Sequence, residues 1–189
     1  MILDNKINLG FLPTPLQLMA RLSEKYPGFN IFIKQDDNTG LASGGNKTRK
    51  LEYLIQEALS HNCNTIITAG AQQSNHCRQT AATCAATGLE CHLMLGGTEP
   101  QKYDGNLLLS HLLGANIHFN GENRKMPISI DKAETHGLSL EEVAMKELAT
   151  MEGILLDPVY TARAFHGMLD YLKNKKIPSG SKILFWHTG

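Results

Sequence analysis

The sequence predicts an α/β fold in which parallel sheets are covered by helices. Short runs rich in β-branched residues alternate with stretches of helical periodicity, and that alternation is the mark of a parallel, helix-covered sheet. Gly88 and Gly114 each follow a predicted helix, where a left-handed cap is wanted. The composition, 42% hydrophobic and 19% charged over 189 residues, suits one large soluble domain or two small lobes.

The elements follow in order. Residues 13–25, PTPLQLMARLSEK, space Leu16, Met19 and Leu22 as a helix would. NIFIKQ (30–35) reads as a strand, and the polar, glycine-rich loop DDNTGLASGGN follows it. A helix from about Lys47 to His61 lays Leu51, Leu54, Ile55, Ala58 and Leu59 along one stripe. NTIITAG (64–70) is a strand, AQQSNH a turn, and Cys77 to Thr87 a helix of small residues. ECHLMLGG (90–97) is a strand, Asp104 to Leu113 a helix, and NIHFN (116–120) a strand. GENRKMPISIDKAETHG (121–137) has no period and reads as a linker or junction. A helix from Leu138 to Met151, a short buried strand GILLDP, a helix from Thr161 to Lys175 and a last strand in SKILFWHTG complete the chain. Right-handed crossovers are expected between parallel strands.

Charge and composition narrow the functions. Eighteen Lys and Arg balance eighteen Asp and Glu, so neither nucleic acid nor an anionic membrane is favoured as a partner. No apolar run approaches a transmembrane length, and the N-terminus does not read as a signal peptide, so the cytoplasm is the expected location. Cys63, Cys77, Cys84 and Cys91 form no CxxC pair, so neither a metal site nor a disulfide framework is expected; Cys77 and Cys84, seven apart, read as small core residues.

Two turns carry chemistry. GLASGGNKT lies between a strand and a helix, like a phosphate-binding loop. Gly40 and Gly45 fit the spacing of a P-loop, but Asn46 intrudes before Lys47, which argues against nucleotide hydrolysis. The other reading is a lysine that attacks an aldehyde. Burial and a nearby helix N-terminus both lower an amine's pKa and favour its neutral, nucleophilic form. Lys47 also reads as an ordinary solvated helix lysine, like Arg49 and Lys50. The second turn places Gln73, Ser74, Asn75 and His76 between a strand and a helix, where backbone N–H groups point into the crevice at the carboxyl end of the sheet. A substrate carboxylate suits that seat, and a plain N-cap at Ser74 or Asn75 uses the same donors.

LPTPLQLMARLS, FIKQDDNTGLASGGNKTRKLEYL, TIITAGAQQSNHCRQTAATCAATGLECHLML, GILLDPVYTARAFHGMLDYL and FWHTG together resemble the D-cysteine desulfhydrase and 1-aminocyclopropane-1-carboxylate deaminase family, which depends on pyridoxal 5'-phosphate (PLP). The resemblance implies a tryptophan-synthase-β-like fold, with residues 30–120 as the small lobe and residues 1–29 and 121–189 as parts of the larger, cofactor-binding lobe. It assigns Lys47 to the cofactor's Schiff base, and Asn46 and Asn75 to its ring oxygen. Gln73, Ser74, Asn75, His76 and Tyr160 fall on the substrate side. Thr161 occupies a position that is glutamate in the deaminases and threonine in the desulfhydrases, which favours β-elimination from D-cysteine over ring opening. Thr188 and His187 would line the cofactor's far edge, although His187 reads equally as a structural residue. A homodimer and a small amino-acid substrate complete the implied picture.

The chain also departs from that family. The family's second glycine-rich loop, of the TGSGGT type, wraps the cofactor phosphate and lies between the counterparts of NIHF and GILLDP. Here residues 121–137 stand in that place, and no second glycine cluster follows Gly97. The departure implies a large lobe short of strands. It also opens a further alternative, a non-catalytic relative that binds or oligomerises only.

Overall fold

The computed structural model describes residues 5–119, 121, 140–158 and 161–187. The chain divides into two compact units, Met1–Leu12 with Thr39–Pro127, and Pro13–Asn38 with Ile128–Gly189.

The first unit carries the parallel sheet. Strands β3 (Thr65–Gly70), β4 (Glu90–Leu95) and β5 (Asn116–Phe119) lie in sequential order, all parallel. Helices α2 (Lys47–Ser60), α3 (Asn75–Thr87) and α4 (Gly105–Leu112) accompany them. Period-two alternation in β4 sends Cys91, Leu93 and Leu95 inward, and they pack with Cys77, Ala81, Cys84 and Leu107. The small residues of α3 let it sit against β3, β4, α2 and α4 at once. Cys77, Cys84 and Cys91 are buried free thiols, in keeping with a packing role, and Cys63 is exposed. The N-terminal segment is tied to α2 through Glu52, whose buried carboxylate accepts from the Lys6 ammonium and from the N–H groups of Leu9 (3.0 Å) and Gly10 (3.1 Å).

The second unit holds β1 (Leu16–Leu18), β2 (Asn30–Gln35) and β6 (Lys182–His187), with helices α1 (Ala20–Lys25), α5 (Leu140–Glu152) and α6 (Thr161–Lys173). Strand β2 is central, parallel to β6 and antiparallel to β1. Ile31 and Ile33 of β2 bury against Leu148, Phe165, Leu169 and Phe185, and the rings of Phe165 and Phe185 meet edge-on at 5.2 Å.

Three expectations change. Residues 13–25 are not one helix. Proline fixes φ and removes the N–H at positions 13 and 15, and Leu16–Leu18 pair with Phe32–Lys34 before the chain turns helical at Ala20. That pairing is antiparallel, so the second sheet is mixed rather than parallel. GILLDP forms no strand: Gly153 takes φ +68°, Leu155 is 79% exposed, and only Leu156 is buried. Strand β2 belongs with β6 through the ladder from Asn30↔Lys182 to Gln35↔His187, while residues before Pro13 join the unit that holds Lys47.

Candidate active site

Lys47 is the first residue of α2, and the loop before it is held in a conformation few sequences tolerate. Ala42, Ser43, Gly44 and Gly45 all take positive φ, at 45°, 67°, 73° and 126°. For the two non-glycine residues this costs about 1 kcal/mol each, an expense that persists only when neighbours enforce it. The neighbours are visible. The Thr39 hydroxyl donates to the Gly45 carbonyl (2.9 Å) and accepts from the Gly45 N–H (2.8 Å). The Gly44 carbonyl accepts from Arg78 Nη2 (2.7 Å) and Gln79 Nε2 (3.0 Å) of α3. Gln79 Oε1 in turn accepts from the N–H and hydroxyl of Thr48, both at 2.8 Å.

The Lys47 ammonium donates to Asn46 Oδ1 at 2.6 Å. Its pKa lies below that of an ordinary lysine, first because burial disfavours the charge and second because Lys50 is close by.

The turn from β3 into α3 has the predicted form. Gly70 ends the strand where a Cβ would come within 2.6 Å of Cys77 Sγ, so the tight approach requires glycine. Ser74 is the N-cap of α3, its Oγ accepting from the Cys77 N–H at 3.3 Å. A serine hydroxyl that accepts in this way still has its own proton to donate. His76 Nε2 lies 2.9 Å from the Thr68 hydroxyl, and its Nδ1 is buried without a partner among the described residues. Burial, then Lys50 and Lys47, push the His76 pKa down, so the ring is neutral at pH 7. Lys47 and His76 therefore stand within electrostatic reach of one another.

Gln73 is engaged within the protein. Its Oε1 accepts from the Asn106 N–H (2.8 Å) and its Nε2 donates to Asp104 Oδ1 (3.0 Å), so both ends of the side chain serve the start of α4. The structure thus gathers Asn46, Lys47, Gln73, Ser74, Asn75 and His76 in one unit. Thr161 lies in the other unit, buried at the start of α6. Its hydroxyl donates to Asp157 Oδ2 (2.5 Å) and accepts from the Asp157 N–H (2.9 Å). His187 ends β6 in that same unit, buried, with Nε2 3.9 Å from Asp37 Oδ2. Tyr160 and Thr188 lie outside the described residues. Sequence reasoning missed Thr39, Arg78, Gln79 and Asn106. The one signal for them was a pair of long polar residues, Arg78 and Gln79, in a helix otherwise built of small ones.

With this geometry in view, the comparisons identify the class. The family model described as pyridoxal-phosphate dependent enzyme matches residues 7–142, so this chain belongs to that family, and PLP is its cofactor. D-cysteine desulfhydrase of Salmonella paratyphi A is 52% identical over 117 residues, covering 59% of this chain and 35% of that protein. This chain therefore matches only about a third of that relative's length. A Thermotoga maritima protein, provisionally named a 1-aminocyclopropane-1-carboxylate deaminase, is 30% identical over 304 aligned positions, spanning 97% of this chain and 96% of that protein. With 189 residues to set against 304 positions, at least 115 positions face a gap in this chain. Two solved structures share the fold. An ACC deaminase homologue has a TM-score of 0.79 at 23% identity, covering 98% of this chain and 91% of its own. A hydrogen sulfide-producing enzyme from Fusobacterium nucleatum has 0.71 at 14%, covering 96% and 94%.

The residues in hand fit the reactive end of such a cofactor. A lysine amine whose pKa is lowered by burial, a carboxamide beside it in Asn46, a second carboxamide in Asn75 of the same unit, and a half-buried imidazole with an unpartnered Nδ1 suit an aldehyde beside an anionic ring oxygen.

Proposed function

We propose that this chain is a PLP-dependent lyase of the D-cysteine desulfhydrase type, converting D-cysteine and water to pyruvate, hydrogen sulfide and ammonia. The observation that carries the reading is Lys47, which opens α2 after a loop of four positive-φ residues and lies in the same unit as the Ser74–His76 turn. Sequence identity of 52% with a named desulfhydrase supports the substrate class, and so does threonine rather than glutamate at position 161.

When bound, the cofactor supplies an electron sink for the α-carbon. The chain's residues do the rest. Lys47 Nζ would hold the cofactor aldehyde and, as a neutral amine, would take the substrate's α-proton. The N–H groups opening α3 and the Ser74 hydroxyl bind the substrate carboxylate, where the helix dipole favours negative charge. Asn46 and Asn75 orient the ring, and neutral His76 sits on the substrate side. Tyr160 and Thr188 remain assigned to the substrate and to the cofactor's edge by the family resemblance. The same resemblance supports a cytoplasmic homodimer.

Titration of the protein with PLP tests this reading. A new absorption band at the edge of the visible, lost in Lys47→Ala, is expected, together with sulfide and pyruvate from D-cysteine. Ammonia from 1-aminocyclopropane-1-carboxylate without sulfide from D-cysteine would favour the deaminase reading, to which the Thermotoga alignment points. A folded protein that develops no band would leave the non-catalytic reading standing.

A further inference from the structure

Amide side chains are ambiguous in direction until a neighbour with only one kind of hydrogen-bonding group fixes them. Arginine is such a neighbour, because its guanidinium donates and never accepts. Arg78, 7% exposed on α3, donates through Nη1 to Asn106 Oδ1 (2.8 Å) and through Nη2 to the Gly44 carbonyl (2.7 Å). The oxygen of Asn106 is thus committed to Arg78, and its Nδ2 end faces the opposite way. That end donates to Asn75 Oδ1 (2.8 Å) and to the Gln73 carbonyl (2.9 Å). The oxygen of Asn75 is committed in its turn, so its amide N–H groups are directed away from Asn106.

We propose that Asn106 is a positioning residue of this site, one that fixes which end of the Asn75 carboxamide is presented to the cofactor. The proposal rests on the PLP reading for what Asn75 meets, but the relay itself is a property of the protein alone. Reversing Asn75 would set its amide hydrogens against those of Asn106. Reversing Asn106 would set an NH2 against a guanidinium. The relay starts at a charged group and ends at a donor, the polarity an anionic ring oxygen requires. Arg78 also grips Gly44, three residues before Lys47, so one side chain couples the lysine loop to the turn bearing Asn75. Asn106 itself is held from behind, its backbone N–H donating to Gln73 Oε1.

Asn106→Asp separates position from polarity. The carboxylate keeps the size and gains an ion pair with Arg78, which offsets the lost hydrogen bond to the Gln73 carbonyl, so the fold should survive. It can no longer donate to Asn75, whose amide must turn over to donate to it. In the cofactor-free protein, the side-chain NH2 resonance of Asn75, assigned by its loss in Asn75→Asp, should move while backbone resonances distant from the turn stay fixed. The apparent PLP affinity should fall about tenfold, the scale of one charge-assisted hydrogen bond, and the absorption band should shift. An Asn75 resonance unmoved in Asn106→Asp would overturn the proposal. So would unchanged PLP affinity where Asn75→Ala weakens it. A wild-type protein that takes up no PLP would sink the functional reading instead, and the resonance experiment would still decide the relay.

Discussion

Glu52 shows how a single buried carboxylate holds the entry to the site-bearing helix. Burial alone would raise its pKa, but Lys6 and the N–H groups of Leu9 and Gly10 outweigh that and bring it below the usual carboxylate value. The unfolded chain titrates near ~4.3. Above that pH the stabilisation is complete. As pH falls, the unfolded state takes up its proton first, so stability is lost between ~4.3 and the lower folded value, and is flat beneath both. Glu52→Gln should cost about 1–3 kcal/mol at pH 7 in urea melts. Its deficit relative to wild type should shrink as the pH is brought to 3, and a deficit independent of pH would exclude the charge as the cause. At this scale the site was half legible. Lys47, Ser74, Asn75 and His76 stand in strand-to-helix turns, where local sequence announces a crevice. Arg78, Gln79 and Asn106 act across 28 to 35 residues of chain, and no local pattern encodes such contacts. Gln73, read as a substrate contact, is committed to α4 for the same reason.

Among the elements, α4 begins in an unusual way. Its N-cap Asp104 makes no side-chain capping bond, and Gln73 supplies the acceptor from outside the helix. Gly105 takes φ +48°, and a Cβ there would lie 2.5 Å from Gln73 Oε1. Gly105→Ala should therefore cost more than the ~1 kcal/mol of a left-handed alanine. Amide hydrogen exchange at Asn106 should speed up with it, because the cap is displaced, and unchanged protection there would refute the capping role. Elements whose period matches their burial, such as β4 and α6, could be read directly, whereas in α2 Leu51 and Ile55 are buried as read but Leu54 is exposed and Thr48 and Glu52 turn inward. Residues 13–18 could not, because Leu16 and Met19 fit a helix until Phe32–Lys34 arrives to pair with the segment. GILLDP could not either: three apolar residues in a row resemble a buried strand, yet Leu155 faces solvent.

At the scale of the whole molecule, two separate apolar clusters underlie two units, and the chain passes between the units at Leu12, Asn38 and Pro127. The parallel lobe was foreseen, but its boundary was hidden, because the strand at Asn30 finds its partner only at Lys182. Against the Thermotoga relative the chain lacks at least 115 aligned positions, and the matched family model ends at residue 142. The turns bearing Lys47 and Ser74–His76 are among the described residues, whereas no glycine cluster of the kind the family resemblance places at the cofactor phosphate follows Gly97. A phosphate held by backbone N–H groups at a helix N-terminus gains strongly from both hydrogen bonds and the dipole. If the chain has no such cradle, the phosphate adds little, while capture by Lys47 on the proposed reading is the same for either aldehyde. Pyridoxal and PLP should therefore bind with affinities within about tenfold of each other, a difference near 1.4 kcal/mol. Parallel absorbance titrations of wild type with the two aldehydes, each repeated on Lys47→Ala to subtract reaction at other amines, measure the ratio. A preference for PLP beyond about a hundredfold, twice that free energy, would mean that residues elsewhere in this chain, or in a second copy of it, rebuild a phosphate site.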